Sequence, residues 1–588
     1  MRMTSDNHWP SHSGLYKLPT SYFLPPTSYL LPYRLKALLY ADGLNRYHSF
    51  SGLPPARQIF LHIPLSGMPK YKANRKGAQE MEGQAWQPTA NGVITESYLQ
   101  NLTLLKNGSH ATDSEDVILR EFSVFGHAAA VFYLDGMADS ESVQRFFIEP
   151  LLRSPAPSDE TPLDTYLSKA VLPLSSVSST AHLSQALSRL FGGDAVLIVD
   201  TMPGALIADT KGFVRRSVSE PVNESVVAGP HEGFTESLRD NTVLIRRLLR
   251  SPALISDSLT VGDQIPARIC MMYLDGIAKK ENVDELRRRI NGCRVDYVSS
   301  IGMLEQLIED HPFFLLPQAV VTERPDRAVS FLNEGQIVVL MENAPSALVM
   351  PVGFLHLFHA PDDTAMRWQY GTFFRILRLA GILIALLLPA LFVSLTVYHP
   401  EGMSLSLLTS VIESQAKVPL SLFSSILIML LIFSLICEAA LRVPGAMGAS
   451  LSIVGGLILG QAVVEAELFS PLVLIVVALS GLGSYAAPSF SFTVSIRIAQ
   501  LMLVLAAGLG GYLGLSLMLF CLLFQCFGAS SLGQPFFSPL SPKRIANPDG
   551  AVRFPIWRQR LRGAIANPFH MNRVWGRMRA WETAGEKK

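Results

Sequence analysis

Charge is scarce in this 588-residue chain: 16% of its residues are Asp, Glu, Lys or Arg, against about 25% in an ordinary soluble domain. With 49% hydrophobic residues, that shortage excludes both a wholly soluble protein and a largely disordered one. Cysteine is scarce too. The five cysteines (Cys270, Cys293, Cys437, Cys521, Cys526) form no C-x-x-C pair and have no histidines at zinc spacing, so neither a disulfide framework nor a structural metal is indicated. No Walker loop, G-x-G-x-x-G or H-E-x-x-H is present, which leaves nucleotide-binding and zinc-hydrolase chemistry without a sequence basis. Residues 1–30 hold no continuous apolar stretch of the kind a cleaved signal peptide needs. The net charge of +1 hides segregation. Residues 1–80 carry 10 basic and 3 acidic side chains, 543–588 carry 11 and 3, and the remainder 28 and 42. That is not the profile of a nucleic-acid binder.

What is abundant is apolar sequence after residue 375. Leu379–Val397 (interrupted by Pro389), Val418–Cys437, Ala446–Val464 and Leu468–Ala487 are uncharged, and Ile498–Phe527 is an uncharged run of 30 residues. About 20 residues span a bilayer as a helix, so an integral membrane protein is expected. Arg367, Arg375 and Arg378 precede the first run, Arg442 follows the second, Arg497 the fourth, and the end of the chain is basic. Basic residues favour the cytoplasmic side, which places the N-terminal region there. Two cytoplasmic ends require an even number of crossings. The last run is too long for one span, and its centre reads Gly508-Leu-Gly-Gly-Tyr-Leu-Gly514. A bend there, dividing the run into two segments, satisfies the parity. A single tilted helix is the alternative.

The polar half is duplicated. Ala130-Val-Phe-Tyr-Leu-Asp-Gly-Met137 recurs as Cys270-Met-Met-Tyr-Leu-Asp-Gly-Ile277, and Gly193–Ile207 recurs as Gly335–Val349 with prolines at 203 and 345. Each copy reads as apolar strand, Asp-Gly turn, amphipathic helix, helical stretch and a hairpin turning near Pro. The expected architecture is an α/β soluble region of two duplicated subdomains followed by an α-helical, multi-span membrane domain. Residues 1–90 are a variable basic arm, disordered or, if translation starts at Met81, absent. Residues 91–225 form the first α/β subdomain, and 226–370 the second with a linker helix within Gly233–Leu254. Residues 371–535 carry about five to six apolar segments, and 536–588 form a basic cytoplasmic tail. Phe234, Leu238, Ile245 and Leu249 share one face of the linker helix.

Asp135 and Asp275 invite a reading as paired acid–base carboxylates. Asp-Gly turn chemistry, with Asp capping the following helix, is the stronger account, because no His, Ser or Cys recurs beside them. No catalytic residue, cofactor or metal is indicated, and no enzyme is expected. In the membrane half Gln461, Glu465 and Glu467 surround one turn, which reads equally as an ordinary wetted loop or as the mouth of a cation pore, since an acidic ring around a symmetry axis selects cations. Glu438 and Arg442, four apart on one helix, are positioned to pair. Small residues around Gly455-Gly456 suit close helix packing.

Phe234-Thr-Glu-Ser-Leu-Arg-Asp-Asn-Thr-Val-Leu-Ile-Arg-Arg247 closely resembles the F-T-E-S-L-R-x-N-T-x-L-I-R-R signature of the spore germination receptor A subunits, the GerA family. Arg216–Pro221, Glu305–Asp310, Thr322–Asp326, Leu386–Leu391, Gly460–Glu465 and Ser538–Pro542 resemble further family stretches in the same order. Two departures stand out: Ser424–Leu430 lacks the acidic residues common in that helix, and Glu467 replaces a usual Gly. The resemblance implies a nutrient germinant receptor subunit in the inner membrane of a bacterial endospore. It further implies a transporter-like B subunit and a lipoprotein C subunit as partners, homo-oligomers with a pentamer as the expected form, and a ligand-gated cation channel that triggers germination. With it Ser470 joins Gln461, Glu465 and Glu467 as a candidate pore-lining residue. An accessory subunit of the dipicolinic-acid release machinery and a secondary transporter with a regulatory cytoplasmic domain are the alternatives.

Overall fold

The computed structural model describes residues 92–579, excepting 157–161, 175, 213–219, 222–223, 225, 227, 443–459, 545–546, 548 and 575–577. The basic arm therefore lies outside the described residues, as do most of Ala446–Val464 and its Gly455-Gly456 face. The first module runs α1 (Tyr98–Ser109), β1 (Val117–Val124), β2 (His127–Leu134), a helical stretch α2 (140–153), a second α3 (163–171), β3 (Val177–Thr180), α4 (Leu183–Leu190), β4 (Ala195–Val199) and β5 (Ala205–Ala208). The strands form one antiparallel sheet in the order β1-β2-β4-β5-β3. Every residue of β4, Ala-Val-Leu-Ile-Val, is buried. Both faces are covered: α1 and α4 pack on one side, α2 and α3 on the other. An all-apolar strand suits a position buried on both faces, where no side chain points to water.

The second module repeats this plan: α5 (Leu238–Leu248), β6 (Leu254–Val261), β7 (Ala267–Leu274), α6 (Lys280–Gly292), α7 (Ile301–Ile308), β8 (Val320–Thr322), α8 (Pro325–Asn333), β9 (Ile337–Met341) and β10 (Ala347–Met350). Its sheet order is β6-β7-β9-β10-β8. Even the register is copied. Ala130 pairs with Ile198, and Cys270, 140 positions on, pairs with Leu340, 142 positions on. The helix expected as a linker is the opening element of the second module. Ile94-Thr-Glu-Ser-Tyr-Leu-Gln-Asn101 is the counterpart of Phe234-Thr-Glu-Ser-Leu-Arg-Asp-Asn241. Asn101 Oδ1 accepts from the Thr95 amide at 2.9 Å and its Nδ2 donates to the Thr95 carbonyl; Asn241 repeats both bonds with Thr235, at 2.7 and 2.6 Å. The Thr201 and Asn343 amides then donate to the Glu96 and Glu236 carbonyls, tying each motif to its own β4–β5 or β9–β10 hairpin. Of the expected apolar face, Phe234, Leu238 and Ile245 are buried and Leu249 is half-buried, all in the second module's core. A bridging role survives through Val243, which packs into the first module.

The Asp-Gly turns form as expected, with Gly136 and Gly276 at φ 75° and 73°. The cap is different. Asp139, not Asp135, accepts the backbone amides of Glu141 and Ser142 at the start of α2.

In the apolar half, α9 (Trp368–Val393, extended by a π turn to Tyr398) leaves the second module. At the far side the chain forms α10 (Leu405–Gln415), then returns through α11 (Leu422–Arg442). α12 (Pro471–Ser484) runs back from the far side, where Glu467 meets Lys417 at 3.3 Å. α13 (Phe490–Gly528) is broken at Gly510 and Gly511, whose backbones are not helical. Gly511 sits at φ 56°, and a Cβ on Gly514 would strike the carbonyl of Ala506, eight residues earlier. Such proximity is impossible in a continuous helix, which rises 1.5 Å per residue. The two arms are therefore a hairpin, and both free ends touch the second module: Ser495 Oγ donates to the Leu315 carbonyl at 2.7 Å, and Leu532 and Gly533 amides donate to Asp310. The bend is present and the single tilted helix is not. Among the described residues, three helices (368–398, 422–440, 490–528) are long and apolar enough to cross a membrane, and α12 is a shorter apolar helix.

The basic C-terminal segment is packed. Phe536, Ala564, Ile565 and Ala566 are buried, the Ala566 carbonyl accepts from Asn282 Nδ2 at 3.0 Å, and the Phe569 amide donates to the Ile277 carbonyl at 3.0 Å.

Candidate functional site

The four candidate pore residues all lie near the far-side turn, in different settings. Gln461 and Glu465 are exposed on helical residues 460–465. Glu467 is exposed, at φ 53°, and paired with Lys417. Ser470 is 1% exposed, and its hydroxyl caps α12 by accepting from the Val473 amide at 3.4 Å. Within one chain they form no ring, and Ser470 has a structural task of its own. Glu438 and Arg442 do pair, at 2.5 Å, on an exposed helix end.

Buried charge concentrates elsewhere, where α9 meets the second module. Arg375 and Arg378 are three apart and so share a face of α9. Arg375 Nε donates to Asp363 Oδ2 at 2.9 Å and its Nη1 to Asp549 Oδ1 at 2.7 Å and the Gly550 carbonyl at 2.9 Å. Arg378 Nη1 donates to the Phe358 carbonyl at 2.6 Å and to Asp363 at 3.2 Å. Asp363 is 2% exposed. Arg327 of α8 pairs with Glu224 and donates to the His359 carbonyl at 3.1 Å. His359 Nε2 lies 3.2 Å from the Gly550 carbonyl. Burial holds His356 down to about 4 and His359 well below the usual histidine range, so both are neutral near pH 7. A cavity of about 660 Å³ opens beside this joint, lined among others by Arg327, His356, His359, Arg375, Ser538 and Asp549. Four segments distant in sequence are thus fastened at one point. The arginines alone were legible beforehand, as topology signals; their acceptors were not.

A second charged contact joins the two modules. Arg239 and Arg246 are seven apart, on one face of α5. Arg246, 1% exposed, grips Asp116 through Nε at 2.6 Å and Nη2 at 2.9 Å, donates to Ser114 Oγ at 3.0 Å, and lies 5.4 Å over the Phe191 ring. Arg239 Nη2 donates to Asp135 at 2.5 Å. Two backbone amides support them, Glu115 donating to the Ser256 carbonyl and Ser256 donating to Ser114 Oγ, both at 3.0 Å. The cleft they cross has a volume of about 500 Å³ and is lined by Asp116, Asp135, Arg239, Arg268, Cys270 and Glu342 among others. Asp135 lines it and Asp275, exposed on the other module, does not, so the two carboxylates share no site. Burial pushes the Cys270 thiol up to about 12, which leaves it protonated.

A third cavity, about 390 Å³, lies between the second module and residues 488–491 and includes Glu224, Glu305, Glu323, Arg327 and His356. Burial, with Glu309 adding to it, raises Glu305 to about 7. Burial also acts to raise Asp310, but the Ser530 hydroxyl, the Gly533 amide and Arg289 outweigh it and hold that carboxyl below its ordinary value.

The chain is similar to known proteins. The sequence model described as Bacillus/Clostridium GerA spore germination protein matches residues 105–565. Spore germination protein KA of Bacillus subtilis (strain 168) is 31% identical over 474 residues, covering 80% of this chain and 87% of that one. Spore germination protein GerLA of Bacillus cereus is 32% identical, covering 73% and 87%. The uncharacterized membrane protein YfkQ of Bacillus subtilis (strain 168) is 33% identical, covering 78% and 88%. The crystal structure of the N-terminal domain of the A subunit of the Bacillus megaterium spore germinant receptor GerK3 is 26% identical, covering 45% of this chain and 98% of that one, with a TM-score of 0.36.

Proposed function

Because the chain belongs to the GerA family of spore germination proteins, we propose that it is the A subunit of a nutrient germinant receptor in the inner membrane of a bacterial endospore. It works there with a transporter-like B subunit and a lipoprotein C subunit, and assembles as a homo-oligomer, a pentamer, whose membrane helices form a ligand-gated cation channel. The α/β modules face the cytoplasm. Arginines at the helix ends on that side (Arg367, Arg375, Arg378, Arg497) against Lys417 in the far-side segment between α9 and α11 support this orientation.

The observation that carries the reading is the buried joint of Arg375, Arg378, Asp363 and Asp549, which fastens α9 to the second module. A displacement of that module is thereby passed to a membrane helix without slack, because a buried ion pair resists separation by several kcal/mol. Nutrient binding on a partner favours one arrangement of the modules and shifts the population toward an open pore. The subunit is a receptor and conductor, not an enzyme. Exposed Gln461 and Glu465 are placed to meet their symmetry mates around an axis and attract cations, with Glu467 beside them held to Lys417.

Potassium release from nutrient-triggered spores tests this, in a strain whose other germinant receptors are deleted. Removal of this chain abolishes release, and Glu465→Ala slows it at matched receptor level. Full release without the chain overturns the receptor assignment. Unchanged release in Glu465→Ala removes that residue from the ion path.

A further inference from the structure

The loop between α7 and β8 reads Asp310-His-Pro-Phe-Phe-Leu-Leu-Pro-Gln318, and from Pro312 to Pro317 it carries no charge. Phe313 is fully exposed. Its neighbours are not: Phe314 packs edge-on to Phe536 with ring centres 5.4 Å apart, and Leu316 packs on the second module's core. The loop is held shut at its base. Gln318, fully buried, accepts from the Asp310 and His311 amides at 3.1 and 3.0 Å and donates to the His311 carbonyl at 2.7 Å. Phe313 therefore projects from a braced turn rather than from a loose one.

Where it projects is fixed by two contacts with α13. The Leu315 carbonyl accepts from Ser495, in the second turn of the first arm, and Asp310 accepts from Ser530 and the Leu532 and Gly533 amides, just past the end of the second arm. The same end of the helical bundle carries further exposed aromatic side chains: Trp368, Tyr370, Phe373 and Phe374 at the start of α9, Phe490 at the start of α13 and Phe527 near its end. Aromatic residues gather at the level of lipid headgroups.

We propose that residues 312–316 form a membrane-interface anchor, with Phe313 inserted among the lipids at the headgroup boundary. The occupant is the bilayer, because the loop is continuous with the surfaces of the apolar helices and offers no charge to a peptide. The consequence is an asymmetry between two otherwise copied modules. The second shares its core with membrane residues Ile382, Ala385, Phe492 and Ile496 and is pinned to the lipid surface by Phe313; among the described residues the core of the first contains no membrane residue. Movement of the modules then takes place at the Arg239–Arg246 contact. The inference needs α9 and α13 to cross a bilayer, and does not depend on ion conduction or nutrient response.

The test is fluorescence of Phe313→Trp in the full-length chain reconstituted into phosphatidylcholine vesicles, read as the difference from the parent protein. Leu383→Trp on exposed α9 serves as the membrane reference and Leu99→Trp on exposed α1 as the water reference. In the Phe313→Trp variant the expected result is quenching of the introduced indole by lipids brominated near the glycerol end of the chain, greater than by lipids brominated near the chain terminus, with protection from aqueous iodide relative to the Leu99 variant. Iodide quenching equal to that of the Leu99 variant, with no bromine quenching, overturns the anchor. Quenching by neither agent assigns the loop to a protein interface and overturns it equally. Failure of bromolipids to quench the Leu383 variant instead refutes the membrane placement on which the inference stands.

Discussion

Arg246→Ala is the most informative perturbation of the contact between modules. The arginine is essentially inaccessible, and its loss removes two bonds to Asp116, one to Ser114 and a long one to the Ser251 carbonyl at 3.4 Å, together with the stacking on Phe191. Breaking a buried ion pair from one side costs about 3–5 kcal/mol, because the remaining charge has been taken out of water without compensation. Asp116 keeps the Ser114 hydroxyl at 2.7 Å, and its side chain is 12% exposed, so the lower end, about 3 kcal/mol, is expected. The pair joins two separately packed modules, so the loss falls on their docking rather than on either core. Three kcal/mol corresponds to opening on the order of 100-fold more frequent. Hydrogen exchange in the detergent-solubilised chain reads this at the Glu115 and Ser256 amides, both spent on the contact. Amides within β4, deep in the first module, serve as the unaffected reference. The double variant Arg246→Met/Asp116→Leu removes both charges at similar volume and recovers most of the loss. Exchange at Glu115 and Ser256 unchanged in Arg246→Ala, or a double variant as open as the single one, refutes the argument.

Three further outcomes are expected. Gly511→Ala destabilises the chain by more than about 1 kcal/mol, because a Cβ at φ 56° is strained and meets Tyr398 at 2.9 Å; Gly514→Ala, against Ala506, is worse, and Gly510→Ala, with open space around it, is the milder control in a thermal unfolding series. Glu305 has its folded pKa raised to about 7. Its protonated form is thus favoured by folding, a contribution complete below the ordinary glutamate range and lost as pH rises through 7. Glu305→Gln should abolish a fall on the order of 2 kcal/mol between about pH 5 and 8, seen as a flatter Tm profile; an equally steep profile in the variant refutes it. Ser470→Ala should cost about 1 kcal/mol as a lost cap while leaving the potassium release rate per receptor unchanged, whereas a pore-lining role predicts altered release at normal stability.

Much of the fold was legible because its signals are local. Strand patterns, Asp-Gly turns and hairpins near Pro203 and Pro345 are written in short windows, and copying them 140 residues later leaves a repeat anyone can align. A bend within Gly508–Gly514 was legible as one of two alternatives, since Gly-rich sequence interrupts a run longer than a bilayer requires; its place at Gly510–Gly511 came from the structure. The shared opening element of the two modules, leading into α1 and α5, was missed even though Ile94–Asn101 and Phe234–Asn241 share Thr-Glu-Ser and Asn at equal spacing. The two hydrogen bonds between the Asn side-chain amide and the Thr backbone were the physical clue, and they separate an opening helix from a linker.

Sequence by itself determined the duplication, the apolar runs and membership of the family, all of which depend on residue order over a few turns or strands; it left a bend and a single tilted helix as alternatives for the last run, and the structure chose the bend. Tertiary structure alone decided which acid each arginine meets. Asp116 lies 130 residues from Arg246, and Asp549 lies 174 from Arg375. Any of the chain's 48 carboxylates has the charge to serve, and only packing chooses among them. It likewise decided that Ser470 caps a helix, that the basic C-terminal segment packs on the second module, and that Phe313 is held out beside the membrane helices. Exposure and pairing are properties of the folded surface, set by contacts between segments far apart in the chain.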